Sequence, residues 1–403
     1  MGFKQFVALI AAMMATNAMA IDSMLPALSE IAHALGADHE NQQQWIVTAY
    51  LLGFGGAQIV YGPLADRFGR KPVLMVGIWV YTLASLAAVF ATSFDLMMIA
   101  RVAQGVGAAA TRVLAVSIVR DCYSGRQMAR VMSLSFIVFL VVPILAPSIG
   151  QLIMLVAPWR WIFGLLTVFG VVLLGWVYLV LPETLHDYDR RPISPDQVFG
   201  SFRTALTNRV SVGYMLAVSM AMGGLFGFIN SAPQIFADTF DAATWFTTVF
   251  ALIAVFMAIS SLLNARIVGR LGTRAVSHAA LIGYTAIAIL HAGVALAGVE
   301  SIWTFGILQA GTMFCFGLMT SNFNSMAMEP LGHIAGTASS VQGFVTTVVG
   351  ALLGFYVGQH FDGTIVPLTV GLSLFGLAAL GLVLFAERGR LFRPHHAPIP
   401  PGH

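Results

Sequence analysis

Charge is scarce in this chain. Of its 403 residues 9% are charged and 58% hydrophobic, with a mean hydropathy of +0.85, too little polar surface to cover a water-soluble globule of this size. Lipid must be the solvent for most of it. Lysine is almost missing: Lys4 and Lys71 are the two present, and Lys71 precedes Pro72 instead of the Ser or Thr of a phosphate loop, which argues against an ATP-driven pump. Cysteine is as rare. Cys122 near a segment end and Cys315 inside an apolar run leave no disulfide scaffold and no cysteine metal site. Neither G-x-S-x-G nor H-E-x-x-H occurs, so nothing favours an intramembrane enzyme. No cofactor and no metal are expected.

What the chain has is apolar runs. A helix crossing a hydrocarbon core of about 30 Å takes roughly 20 residues, and runs of that length lie near 5–30, 44–64, 72–93, 96–119, 131–153 and 159–181, then near 210–236, 245–265, 275–297, 302–326, 336–358 and 366–386. The expected fold is all-α, with twelve transmembrane helices in two six-helix pseudo-repeats. Its parts are an N-terminal bundle at 1–181, a linker rich in charge and proline at 182–209, a C-terminal bundle at 210–386 and a tail at 387–403. The start imitates a signal peptide, with Lys4 ahead of an apolar stretch and Ala18-Met19-Ala20 at its end. That stretch runs on through Leu28, the length of a spanning helix.

The basic residues give an orientation. Lys4, Arg67, Arg70, Lys71, Arg120, Arg126, Arg130, Arg190, Arg191, Arg203, Arg209, Arg266, Arg270, Arg274, Arg388, Arg390 and Arg393 all fall on one side of the twelve spans. By the positive-inside rule that side is cytoplasmic, and both termini with it, in an inner membrane. The net charge of +3 then needs no nucleic-acid partner. Trp45, Trp159, Trp161, Trp245 and Trp303 fall at the other ends of the spans, where an indole suits the headgroup layer. An internal echo joins the halves: DRFGRK from Asp66 returns as GRLGTR from Gly269, 203 residues later, without the aspartate. Transporters built from such parallel repeats bind substrate near the midplane between them.

The stretch GPLADRFGRKPVL, from Gly62 to Leu74, resembles the loop between helices 2 and 3 that marks the major facilitator superfamily. Gly62 and Gly69 permit a tight turn and close helix approach, Arg67, Arg70 and Lys71 hold the loop inside, and Asp66 supplies a lone negative charge. One reading is a topogenic loop and no more. The favoured one is a cytoplasmic gate in which Asp66 meets the positive end of the eleventh helix around Gly336-Thr337, together with the guanidinium of Arg120. RVAQGVGAAA from Arg101 looks like a second signature of the superfamily, and PILAPSIGQ resembles its antiporter motif through Pro143, Pro147 and Gly150, with Ala146 and Gln151 as departures. AIDSMLPAL, IVRDCY, NARIVGRLG and HIAGTASS add likeness to the bicyclomycin-resistance (Bcr/CflA) branch of drug:proton antiporters. That resemblance spans residues 20 to about 345, and implies proton-driven export of small, partly apolar compounds, with the monomer as the working unit.

The residues themselves also point to a proton. Asp22 is the one carboxylate well inside a span; intramembrane acids are functional by default, although one near the outer interface can also snorkel. With the first helix at 5–30, Asp22 lies about 7 Å outside its middle, and Arg101 about 10 Å outside the middle of the fourth span. Depth makes Arg101 its expected partner. Arg112 lies within about 20° of Arg101's direction on the same helix, and no acid in any span matches its depth. Its partner is the substrate or a set of backbone carbonyls. Phe226, Asn230 and Gln234 in the seventh span and Gln309 and Phe316 in the tenth suit a mixed cavity wall, and equally the polar packing between helices. The rival to export is a proton symporter importing a metabolite.

Overall fold

The computed structural model describes residues 1–37, 39–186, 188, 190 and 195–392; Arg191 and Arg393 of the basic set lie outside them. Fourteen α-helices follow one another with no strand among the described residues: α1 (Phe3–Asp22), α2 (Leu28–Ala34), α3 (Trp45–Phe68), α4 (Arg70–Val89), α5 (Phe94–Cys122), α6 (Gly125–Val156), α7 (Arg160–Val180), α8 (Pro195–Thr207), α9 (Arg209–Gln234), α10 (Phe246–Leu271), α11 (Thr273–Leu296), α12 (Ile302–Met328), α13 (Ala335–Gln359) and α14 (Val366–Ala386). Twelve helical stretches, counting α1 with α2 as one and leaving out α8, are long and apolar enough to cross a membrane. The end of the bundle that holds the arginine-rich turns is called the basic face below, and the other the opposite face.

Eleven of the spans are unbroken through the bilayer's thickness, but the first is not. The helix expected at 5–30 ends at Asp22, passes through a 3₁₀ turn at Leu25–Ala27, and resumes as α2. Pro26 is the cause. The carbonyl of Asp22 would accept from the nitrogen four residues on, and proline has no N–H to give. Ser23 patches the last turn by donating its hydroxyl to the Met19 carbonyl at 2.6 Å.

Small residues set how closely the helices approach. Gly105 and Gly107 of α5 lie directly on the backbone of Tyr50 in α3 and of Tyr81 in α4, where an added Cβ would collide. The motif RVAQGVG is therefore a packing surface on two sides, of the small-residue kind that membrane helices use. α3 packs on α5 and on α13, α4 on α5 and α7, and α1 on α6; α9 packs on α13 and α14, and α10 on α12 and α6. The contacts of α3 with α13 and of α6 with α10 join the first six spans to the last six. Short α8 lies over the basic-face end of α13, its Ala205 buried with Leu331, Ala338 and Val341.

Candidate functional site

Asp22 closes α1, with 5% of its surface exposed. Directly after it, the Ser23 carbonyl presses on Gly150 of α6 so closely that no side chain would fit there. The break in α1 and the motif PSIG in α6 are thus two halves of one contact. Gln151, the next residue, accepts a hydrogen bond from Thr247 of α10 at 2.5 Å, so α6 ties the Asp22 region to the second set of spans.

Arg101 is fully buried, and it does not pair with Asp22: no ion pair joins them among the described residues. Its Nε donates to the Ile46 carbonyl at 2.9 Å, and its Nη1 donates to the Ala20 carbonyl at 3.1 Å and to Gln104 Oε1. Stopping α1 at Asp22 leaves the carbonyls of its last turn without helical donors, and the guanidinium caps one of them. Matched depth predicted a charge pair; the freed backbone took the arginine instead. The Tyr50 ring lies 4.6 Å from the guanidinium carbon, and Tyr50 donates its hydroxyl to Asn17 at 3.0 Å. Nη2 of Arg101 is left without a hydrogen-bond partner.

Arg112 is exposed, although it shares a stripe of α5 with buried Arg101, Gly105 and Ala108. The lipid-facing side of α5 carries Ile99 and Val102, about 140° and 80° away at 100° per residue. The space that Arg112 meets is therefore inside the bundle. No ion pair holds it among the described residues.

At the opposite face, side-chain amides bridge the two sets of spans. Gln44 donates to Gln234 Oε1 at 2.7 Å and to the Gly358 carbonyl at 2.8 Å. Gln234 donates to Asn41 Oδ1 at 2.9 Å, Asn41 to the Gln359 and Phe361 carbonyls at 3.1 and 3.0 Å, and Gln359 to the Asn41 carbonyl at 2.7 Å. Asn230 reaches Thr48 at 3.5 Å and leaves its Oδ1 without a partner. Gln309, fully buried, has a partner for neither amide atom. Phe226 and Phe316 are buried, Phe226 beneath Gly354 of α13. Of the residues expected to line a cavity, Gln234 thus sits in the amide bridge, far along the bundle from Arg112.

At the basic face, Asp66 pairs with Arg70 at 2.5 Å, one helical turn on, and Arg70 Nε with Asp121 at 2.9 Å. Arg120 makes no ion pair with Asp66 among the described residues; it points outward, exposed, from the end of α5. Glu183, just past α7, accepts from the Arg70 N–H at 2.9 Å and the Lys71 N–H at 3.2 Å, capping α4. Lys71 Nζ donates to the Tyr178 carbonyl at 2.9 Å. Gly69 turns the chain at φ +101°, a conformation that favours glycine, while Gly62 faces Ser340 of α13.

The last six spans repeat this arrangement. Gly272 turns at φ +85°, 203 residues after Gly69, and Arg274 meets Glu387, just past α14, at 2.8 Å and Glu329 at 3.5 Å. Tyr214 donates to Glu387 at 2.6 Å and lies 2.9 Å from His278. Burial would push Glu387 up, but the hydrogen bonds from Tyr214 and Arg274 outweigh it and hold the carboxyl below its ordinary value.

The model of the Major Facilitator Superfamily matches residues 7–355. The chain belongs to that superfamily. It is 30% identical over 358 residues to a bicyclomycin resistance protein homolog of Haemophilus influenzae, covering 86% of this chain and 87% of that one. To multidrug resistance protein D of Escherichia coli it is 28% identical, over 85% of each. Among solved structures, the partially occluded inward-open xylose transporter XylE of Escherichia coli superposes with a TM-score of 0.74 at 12% identity, covering 96% and 98% of the two chains. The human organic anion transporter MFSD10 gives 0.70 at 16%, covering 96% and 99%. Like other members of the superfamily, the chain is a multi-pass membrane transporter of small molecules and not an enzyme.

Several contacts of this superfamily member escaped the sequence reading. Glu183, Asp121 and Glu387 hold the basic-face turns from far along the chain, and Asn41, Gln44 and Gln359 bridge the opposite face. A signal existed for one pair: Glu183 and Glu387 stand 204 residues apart, nearly the offset of the repeated turns.

Proposed function

We propose that this transporter exports small drug-like or metabolite molecules across the inner membrane by alternating access, driven by protons entering in exchange, with both termini cytoplasmic and the monomer as the working unit. The observation that carries the reading is the setting of Asp22. It is a buried acid at the broken end of α1, against the Gly150 contact. An acid inside a membrane span is by default functional, and a carboxyl so placed suits proton exchange as its surroundings open and close. The drug-resistance names of the relatives support export over import.

The repeated turns at Gly69 and Gly272 support two six-helix halves, 1–181 and 210–386, moving about the contacts of α3 with α13 and of α6 with α10. Bridges of amides at the opposite face support a state closed on that side, with Arg112 facing the interior. In such a space Arg112 offers a planar, two-pronged donor to carbonyl or carboxylate groups. The test compares drug susceptibility and energised accumulation of labelled compounds in cells with and without the protein. Export requires lower accumulation in the expressing cells, abolished by a protonophore; higher accumulation would favour the importing symporter.

A further inference from the structure

A groove of about 940 Å³ runs along the outside of the bundle and ends at the basic face. One wall is a stripe of α3 at i, i+4 spacing, Leu52, Gly56, Val60, Leu64 and Phe68. Pro72, Val73 and Val76 of α4 form the other wall, and Val102 and Val106 of α5 the floor. It exists because α3 and α4 each pack on α5 but hardly on one another. Its walls open outward: Val60, Phe68 and Val76 are all more than half exposed. From Leu52 to Phe68 it measures about 24 Å along the helix, longer than one leaflet of a hydrocarbon core of about 30 Å.

The end at the basic face is positive. The guanidinium of Arg67 lies 5.4 Å from the centre of the Phe68 ring, itself part of the groove wall. Unlike Arg70, which two carboxylates hold, and Lys71, which the Tyr178 carbonyl holds, Arg67 is exposed and in no ion pair among the described residues. We propose that the groove is a binding site for one anionic phospholipid, an acyl chain lying along α3 and the phosphate on Arg67. An apolar slot long enough for a whole acyl chain, ending in an unpaired cation at headgroup level, matches both parts of such a molecule but only the apolar part of an uncharged one. The lipid would fill the gap between α3 and α4 beside the Gly69 turn. This site is separate from the interior site of the proposed export and does not depend on its direction.

The test takes the full chain from nanodiscs of phosphatidylglycerol and phosphatidylcholine in equal parts into detergent, and counts retained lipids by native mass spectrometry. Wild type should keep one phosphatidylglycerol, preferred several-fold over phosphatidylcholine. Arg67→Gln should lose the preference while still retaining a lipid. Gly56→Leu should lose retention, since a Cβ at Gly56 meets nothing within 4 Å and the added side chain builds into the groove; a melting curve like that of wild type confirms that it folds. Equal retention of both lipids by wild type and Arg67→Gln would overturn the proposal. So would a folded Gly56→Leu that retains lipid as wild type does, or one that changes only the KM of a transported compound, which would mark the groove as an entry path for substrate.

Discussion

The side chains of Gln44 and Gln234 meet at 2.7 Å across the opposite face, 190 residues apart in sequence, one from the first six spans and one from the last six. Each amide also bonds a second group across the same gap. A neutral hydrogen bond of this kind contributes about 1 kcal/mol, a factor of roughly five in an equilibrium. Gln234→Ala removes two and should shift the protein severalfold towards a state open on that face. A cysteine placed at Thr48 should then label faster from that side; an unchanged rate would mean the bonds do not restrain opening.

Asp22→Asn keeps the shape of the side chain and removes the titrating proton. Gradient-driven transport should vanish while insertion and melting temperature stay near wild type. Undiminished uphill transport in this variant would remove Asp22 from the coupling step.

Glu183→Ala takes the cap from the first turn of α4. Losing a cap costs about 1 kcal/mol, so the melting temperature in detergent should fall by a few degrees. Lys71→Ala, which leaves the cap in place, should do less. Equal effects from both would assign the stability to the Lys71 contact with Tyr178 instead.

Arg112→Ala should raise KM for an anionic or carbonyl-rich substrate more than for a cationic one, because unit charges 4 Å apart still interact by roughly 4 kcal/mol at an effective dielectric of 20, before desolvation. Arg112→Lys should restore part of the loss, since lysine keeps the charge without the planar fork. If quaternary ammonium dyes proved the best substrates and no affinity changed in Arg112→Ala, the residue would be structural.

Glu387 gives a pH dependence with a definite sign. Its carboxyl is held below its ordinary value of 4.5, so the stability it contributes is complete above that value and is lost as the pH falls through the lower folded value. Glu387→Gln should melt a few degrees lower at neutral pH and lose less on acidification than wild type. Parallel melting curves from pH 7 to 3 would contradict the role of Arg274 and Tyr214 as its donors.

The spans were legible because hydropathy is a local property. Eleven of twelve needed no more than counting apolar residues, and their ends moved by less than two turns. The first span failed at Pro26, which sits in an apolar run that hydropathy alone reads as continuous; the missing N–H opposite the Asp22 carbonyl was the signal. Depth along a helix made Arg101 the expected partner of Asp22 but could not say where a long side chain turns. Its choice of the Ala20 carbonyl depends on which backbone groups the break frees. The cap by Glu183 and the pairing of Arg274 with Glu387 join residues more than a hundred positions apart, beyond the reach of helical periodicity. The 204-residue spacing of Glu183 and Glu387, close to the 203 residues between Gly69 and Gly272, was the one trace of them in the sequence.

The amide bridge at the opposite face contains no formal charge: Asn41, Gln44, Gln234 and Gln359 bond one another and backbone carbonyls. Neither added salt nor a shift in pH alters the attraction among such groups directly. In the proposed exchange, a proton arriving at Asp22 would therefore have no electrostatic handle on that lock. Under that proposal it would work as leverage, through the fit of α1 on Gly150 and the bond from α6 to Thr247, and loosening those two joints would uncouple the engine from the door while leaving both intact.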